Sequence, residues 1–136
     1  MKRVVLDTNI IVSALLVPSG KESTILLLAL TGQVALHVSP PVLAEYESVL
    51  RRPRLKLQSR RIDDAMAAIR KVSHLVEPTR AVTVSPDKSD NRFLECAEAD
   101  YLVTGNTKHF PQSHQKTNIV TSRRFLDILA EYGNPQ

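Results

Sequence analysis

Residues 4–16 read VVLDTNIIVSALL, and the fold turns on how that stretch is read. Val4-Val5-Leu6 is apolar without alternation, the pattern of a strand covered on both faces, as in parallel sheets. Asp7 closes the run, Thr8-Asn9 follow at once, and Ile10-Ile11-Val12 opens a second apolar run. A carboxylate at the carboxyl end of a buried strand stands where open α/β sheets build their ligand crevices. Taken alone, Asp7 reads as the cap of the next helix. So close to a core, its charge also needs a partner, because burying an unpaired carboxylate is costly. Two more acids, Glu45 and Asp90, begin or ride helices that follow apolar segments in the same way. Three carboxylates converging on one crevice would repel each other, and a divalent cation is the usual relief.

Working outward, short apolar strands alternate with helices. Residues 8–16 read as helix, ended by Pro18-Ser19-Gly20, and 22–31 as an apolar helix stopped by Gly32. Residues 34–38 are a short strand. Ser39-Pro40-Pro41 is a strong helix start, a serine cap with prolines where missing N–H groups cost nothing. That helix runs to about Arg52, before Pro53. Ser59 reads as the cap of a helix from about 61 to 72. Extended pieces begin at Leu75 and Val82, and Asp87 or Ser89 opens a helix to about Ala99. Tyr101-Leu102-Val103 is a strand ending in the turn Thr104-Gly105-Asn106, followed by a loop or single helical turn at 108–111. Asn118-Ile119-Val120 is the last strand, and Ser122 reads as the cap of a final helix to about Tyr132. This alternation predicts a parallel sheet with helices on both faces. No repeat, low-complexity tract or linker interrupts it, so residues 1–136 read as one domain.

Composition narrows the class. Hydrophobic residues make up 43% of the chain with few aromatics, which suits a Leu/Val/Ala-rich interior. No apolar run approaches the roughly 20 residues that span a bilayer. Met1-Lys2-Arg3 superficially resembles the start of a signal peptide, but Asp7 and Asn9 interrupt the apolar stretch that follows. Cys96 stands alone, which excludes a disulfide framework and a cysteine metal site. The simplest location is the cytoplasm. Net charge is +4, and Arg51, Arg52, Arg54, Lys56, Arg60 and Arg61 crowd together. Such a run is commonly a solvated connection between helices. Beside an acidic pocket it also suits a phosphodiester substrate, drawn by the rim and brought to carboxylates through cations.

Helical spacing places two of the acids. After Ser39, Val42, Leu43, Tyr46, Val49 and Leu50 form one apolar stripe, and Glu45 borders it. After Asp87, Phe93, Leu94 and Ala97 face inward, and Asp90 shares that face three and four residues ahead. A helix start favours negative charge, which accounts for Asp90 alone. It does not account for Glu45, which is mid-helix.

Four stretches taken together, VVLDTNIIVSALL at 4–16, VSPPVLAEYESVL at 38–50, DKSDNRFLECAEADYLVTGN at 87–106 and HFP at 109–111, resemble the PIN-domain family of small metal-dependent ribonucleases, in particular its bacterial toxin-like (VapC-type) branch. The resemblance implies a three-layer α/β/α fold around a parallel sheet of about five strands. It implies that Asp7, Glu45 and Asp90 are the catalytic, metal-binding acids, with Mg²⁺ or Mn²⁺ as cofactor. Thr8 and Asn9 would shape the pocket behind Asp7, Asn9 through side-chain hydrogen bonds, and Asp87 and Thr104 would flank it. Relatives often carry a fourth acid just after the strand at 101–103, where this sequence has Asn106 and His109. Asn106 offers a neutral carbonyl and His109 a ligand suited to Mn²⁺. The implied activity is RNA hydrolysis by an endoribonuclease, as the toxin of a toxin–antitoxin pair; the basic run, read from its charge, offers Arg51, Arg52 and Arg54 as candidate RNA contacts. A small antitoxin protein and a second copy of the chain are the expected partners.

Other chemistries find no support. There is no Gly-x-Ser-x-Gly elbow for a serine nucleophile and no Gly-rich turn for a phosphate loop. Dehalogenase-type phosphatases want a second aspartate two residues after the first, where Asn9 stands. The competing reading is a PIN-like module that binds RNA or protein without cleaving it, and the missing fourth acid is its support.

Overall fold

The computed structural model describes residues 1–76, 93, 99–110, 113–114 and 117–132. The elements are β1 (Arg3–Leu6), α1 (Thr8–Leu16), α2 (Lys21–Leu30), β2 (Ala35–Val38), α3 (Pro40–Leu50), α4 (Ser59–Val72), β3 (His74–Leu75), β4 (Tyr101–Val103), β5 (Ser113–His114), β6 (Thr117–Val120) and α5 (Ser122–Tyr132), with short 3₁₀ turns at Pro53–Leu55 and Thr107–His109. The strands form one sheet in the order β3-β2-β1-β4-β6-β5. Five are parallel, and β5 pairs antiparallel to β6 at one edge. With its helices, the sheet makes the three-layer α/β/α architecture expected of a PIN fold.

Local chemistry explains most boundaries. Val4, Val5 and Leu6 are at most 1% exposed, so β1 is central and covered on both faces. Helix α2 ends in a Schellman motif: the Gln33 N–H donates to the Leu28 carbonyl and Gly32 N–H to Ala29, with Gly32 at a φ of +80° that suits glycine. Ser39 caps α3 by accepting from the Val42 N–H at 3.3 Å, with Pro40 and Pro41 in the first turn. Val42, Tyr46 and Leu50 are fully buried along that helix, and Leu43 and Val49 flank them half-buried.

Two expected caps are displaced. Helix α4 begins at Ser59 itself, with Gln58 at the capping position and no side-chain cap bond. Helix α5 begins at Ser122, and Thr121 is the residue whose hydroxyl accepts from the Arg124 N–H. Strand β5 has no counterpart in the sequence reading. The expected strand at Val82 and the helix after Asp87 lie outside the described residues, except Phe93, which is helical and 2% exposed as its inward assignment requires. Among the described residues no single helix is long and apolar enough to cross a membrane.

Candidate active site

The strand order places a switch point at β1. From β1 the chain moves out through β2 to β3, then returns to lay β4 on the other side of β1. Leu6 pairs with Val103 at the ends of these strands, so Asp7 and Thr104 emerge side by side. The Asp7 N–H donates to the Val103 carbonyl at 3.0 Å, extending the ladder by one residue. Open α/β sheets bind ligands at such a point, because the two neighbouring connections leave in opposite directions and open a crevice.

Asp7 uses its carboxylate oxygens differently. Oδ1 accepts from the Asn9 N–H at 3.4 Å and caps α1. Oδ2 accepts from the Thr104 hydroxyl at 2.6 Å, and Thr104 Oγ1 in turn accepts from the Asn106 N–H at 3.0 Å. Asp7 thus caps α1 with one oxygen and leaves the other to Thr104, as a candidate site residue. It is 5% exposed. Burial raises its pKa above the ordinary carboxylate value, opposed first by the Thr104 hydroxyl and the Asn9 N–H, and Glu45 adds a further rise by charge repulsion.

Glu45 arrives from α3, half-buried at the edge of the apolar stripe. Its Oε2 accepts from the Thr8 hydroxyl at 2.5 Å. Thr8 and Thr104 are themselves buried, at 4% and 0% exposure. The two carboxylates are therefore held by hydroxyls from the chain segments that follow β1 and β4. Among the described residues neither Asp7 nor Glu45 has an ion-pair partner, and no group of three His, Cys, Asp or Glu side chains gathers as a metal site.

The remaining candidates sort by position. Asp87 and Asp90 lie outside the described residues. Asn9 is exposed, and its bond to Asp7 comes from the backbone N–H. Asn106 is exposed at the mouth of the site, and His109 closes the turn that follows. A cavity of about 300 Å³ opens there, lined by Gly105, Asn106, Thr107 and Lys108. Arg51 is engaged within the fold, bonding Glu47 at 3.3 Å and Asp63 at 2.5 Å, while Arg70 reaches Glu47 at 2.8 Å. Arg70, and after it Arg51, hold the Glu47 carboxyl below its usual range. Arg52 and Arg54 are exposed, with no ion pair among the described residues.

Sequence reading missed one participant. Tyr46 counts as part of the apolar stripe, yet its buried hydroxyl donates to the Leu6 carbonyl at 2.5 Å, one residue before Asp7. The available signal was its hydroxyl on an otherwise apolar face, beside Glu45 in sequence.

The donor set is all oxygen: two carboxylates, two hydroxyls that orient them and the Asn106 amide nearby. Such a set fits a hard ion such as Mg²⁺ or Mn²⁺, and a buried carboxylate beside a second one gains most from it. Parallel strands with a buried acid at their switch point define an α/β protein that works at the carboxyl ends of its strands. Residues 3–108 match the PIN domain family. An uncharacterized protein of Methanocaldococcus jannaschii is 32% identical over 109 residues, covering 76% of this chain and 70% of the relative. The chain belongs to the PIN domain family, whose members are typically nucleases acting on nucleic acid and usually employ Mg²⁺ or Mn²⁺.

Proposed function

We propose that the protein is a Mg²⁺- or Mn²⁺-dependent endoribonuclease that hydrolyses RNA phosphodiester bonds at Asp7, Glu45 and Asp90. The observation that carries this reading is the buried Asp7 carboxylate set beside Glu45, with no cation from the described residues to balance it. Asp7 and Glu45 would hold the ion together, and Asp90 would complete the set of acids. A bound divalent ion supplies a lowered pKa for water and neutralises charge building on the phosphate. Thr104 and the Asn9 N–H fix the direction of Asp7, and Thr8 fixes Glu45, so the oxygens are set before any ligand arrives. Asn106, at the mouth, presents an amide where a carboxylate would add charge. Arg52 and Arg54, exposed beyond the end of α3, are free to meet phosphates.

The motifs shared with the toxin-like branch support a role as the toxin of a toxin–antitoxin pair, held in check by a small partner protein, acting in the cytoplasm and assembling with a second copy. RNA cleavage by the purified chain, with Mg²⁺ or Mn²⁺ and with chelator, tests the central reading. Wild type should cleave only with the ion, and Asp7→Asn, folded to the same extent, should not cleave. Full cleavage by Asp7→Asn in nuclease-free preparations would overturn the assignment.

A further inference from the structure

Strands β2 and β3 each carry one histidine, and the register sets them side by side. His37 and His74 are partners across two parallel strands, so their side chains leave the same face of the sheet. Their ring centres are 5.5 Å apart with planes tilted by 39°. His74 is exposed and His37 half-buried, so the pair is open to solvent from the β3 side. The pair lies one and two strands from β1 and plays no part in the carboxylate site.

Coordination geometry gives this spacing a meaning. A zinc–nitrogen bond is about 2.1 Å and the ring centre lies about 1 Å further, so two imidazoles sharing a tetrahedral ion have centres about 5 Å apart. The observed separation of 5.5 Å lies close to that value, and the exposed His74 ring is the one with room to adjust. Imidazole nitrogens suit Zn²⁺, Ni²⁺ and Cu²⁺, whereas carboxylate and carbonyl oxygens suit Mg²⁺. We propose that His37 and His74 form a two-imidazole site for a divalent transition-metal ion, with water completing its shell. Strand β3 is two residues long and sits at the sheet edge, so it has little ladder of its own. An ion shared with β2 ties that edge to the sheet, and it stabilises the folded chain because the unfolded chain does not present the pair.

Equilibrium dialysis of the full chain against Ni²⁺, with Mg²⁺ in large excess to occupy the carboxylate site, tests this. Wild type and Asp7→Asn should bind Ni²⁺ equally. His74→Gln and His37→Gln should each bind at least about tenfold more weakly, the loss typical of a damaged metal site. His74 is exposed, so its variant keeps the fold and decides the matter even if His37→Gln does not fold. The proposal fails if wild type takes up no Ni²⁺, if His74→Gln binds as wild type does, or if the bound Ni²⁺ is lost with Asp7→Asn.

Discussion

Replacing Thr104 by valine isolates the bond that holds Asp7. Valine keeps the branched shape and the χ1 preference of threonine, so the backbone turn is retained. The hydroxyl goes, and with it the 2.6 Å bond to Asp7 Oδ2 and the acceptor for the Asn106 N–H. A hydrogen bond to a charged acceptor contributes about 1.5–3 kcal/mol. The Asn106 N–H belongs to an exposed residue and finds water instead, which adds little. A loss of about 2 kcal/mol at neutral pH follows for the metal-free protein. Unfolding entropy near 2.1 cal/mol/K per residue makes that about 7 °C in Tm for a chain of this length. The pH dependence identifies the bond. Asp7 has a native pKa raised above its unfolded value, so its ionised form costs stability above the native pKa. That cost disappears as pH falls through the native pKa towards the unfolded one. Thr104 opposes the rise, so Thr104→Val pushes the native pKa higher still. The Tm gap between wild type and variant should be widest at pH 7–8 and narrow towards pH 4, because groups common to both chains cancel. Thermal unfolding in chelator across that range measures it, with Thr104→Ser, which keeps the hydroxyl, recovering most of the loss. A gap that is absent, or constant with pH, would refute a bond from this hydroxyl to an ionised Asp7.

Asp7→Asn, followed by the same unfolding series, should raise the Tm of the metal-free protein at pH 7–8, with the gain shrinking as pH falls below the native pKa of Asp7; a lower Tm at pH 8 would contradict the burial and repulsion assigned to it. Asn106→Asp should tighten Mg²⁺ binding, by about tenfold for one added carboxylate near the ion. Titrating cleavage against Mg²⁺ and Mn²⁺ in this variant and in His109→Ala reads that out, and unchanged metal dependence in both would make the 104–109 turn purely structural. Tyr46→Phe should cost about 1–3 kcal/mol by leaving the Leu6 carbonyl short of its buried donor, measured by denaturant unfolding.

The architecture was legible wherever one local signal sufficed. An unalternating apolar run marked β1, the serine followed by two prolines marked α3, and Gly32 marked the end of α2. Serines at 59 and 122 misled, because a serine in the first helical turn looks the same in sequence as a serine at the cap. Strand β5, two residues at an antiparallel edge, is too short to carry any period. In the site, Asp7 and Glu45 stood out because each is a charge bordering an apolar segment. The hydroxyls that orient them were not legible as partners: Thr8 meets Glu45 across 37 positions and Thr104 meets Asp7 across 97. Only the order of strands brings those residues together. The basic run around Arg51 shows the opposite case, since a charge in sequence does not reveal that Glu47 and Asp63 already hold it.

Binding of Mn²⁺ to the isolated chain, followed by calorimetry and by Tm, tests the carboxylate site most directly. Wild type should bind the ion, and at about a hundred times its Kd the ion should add about 2.7 kcal/mol of stability. For a chain of this length that is roughly 9 °C in Tm. Asp7→Asn and Glu45→Gln should each lose that shift while remaining folded. Equal Mn²⁺ affinity and an equal Tm shift in wild type and both variants would contradict a metal site built on Asp7 and Glu45.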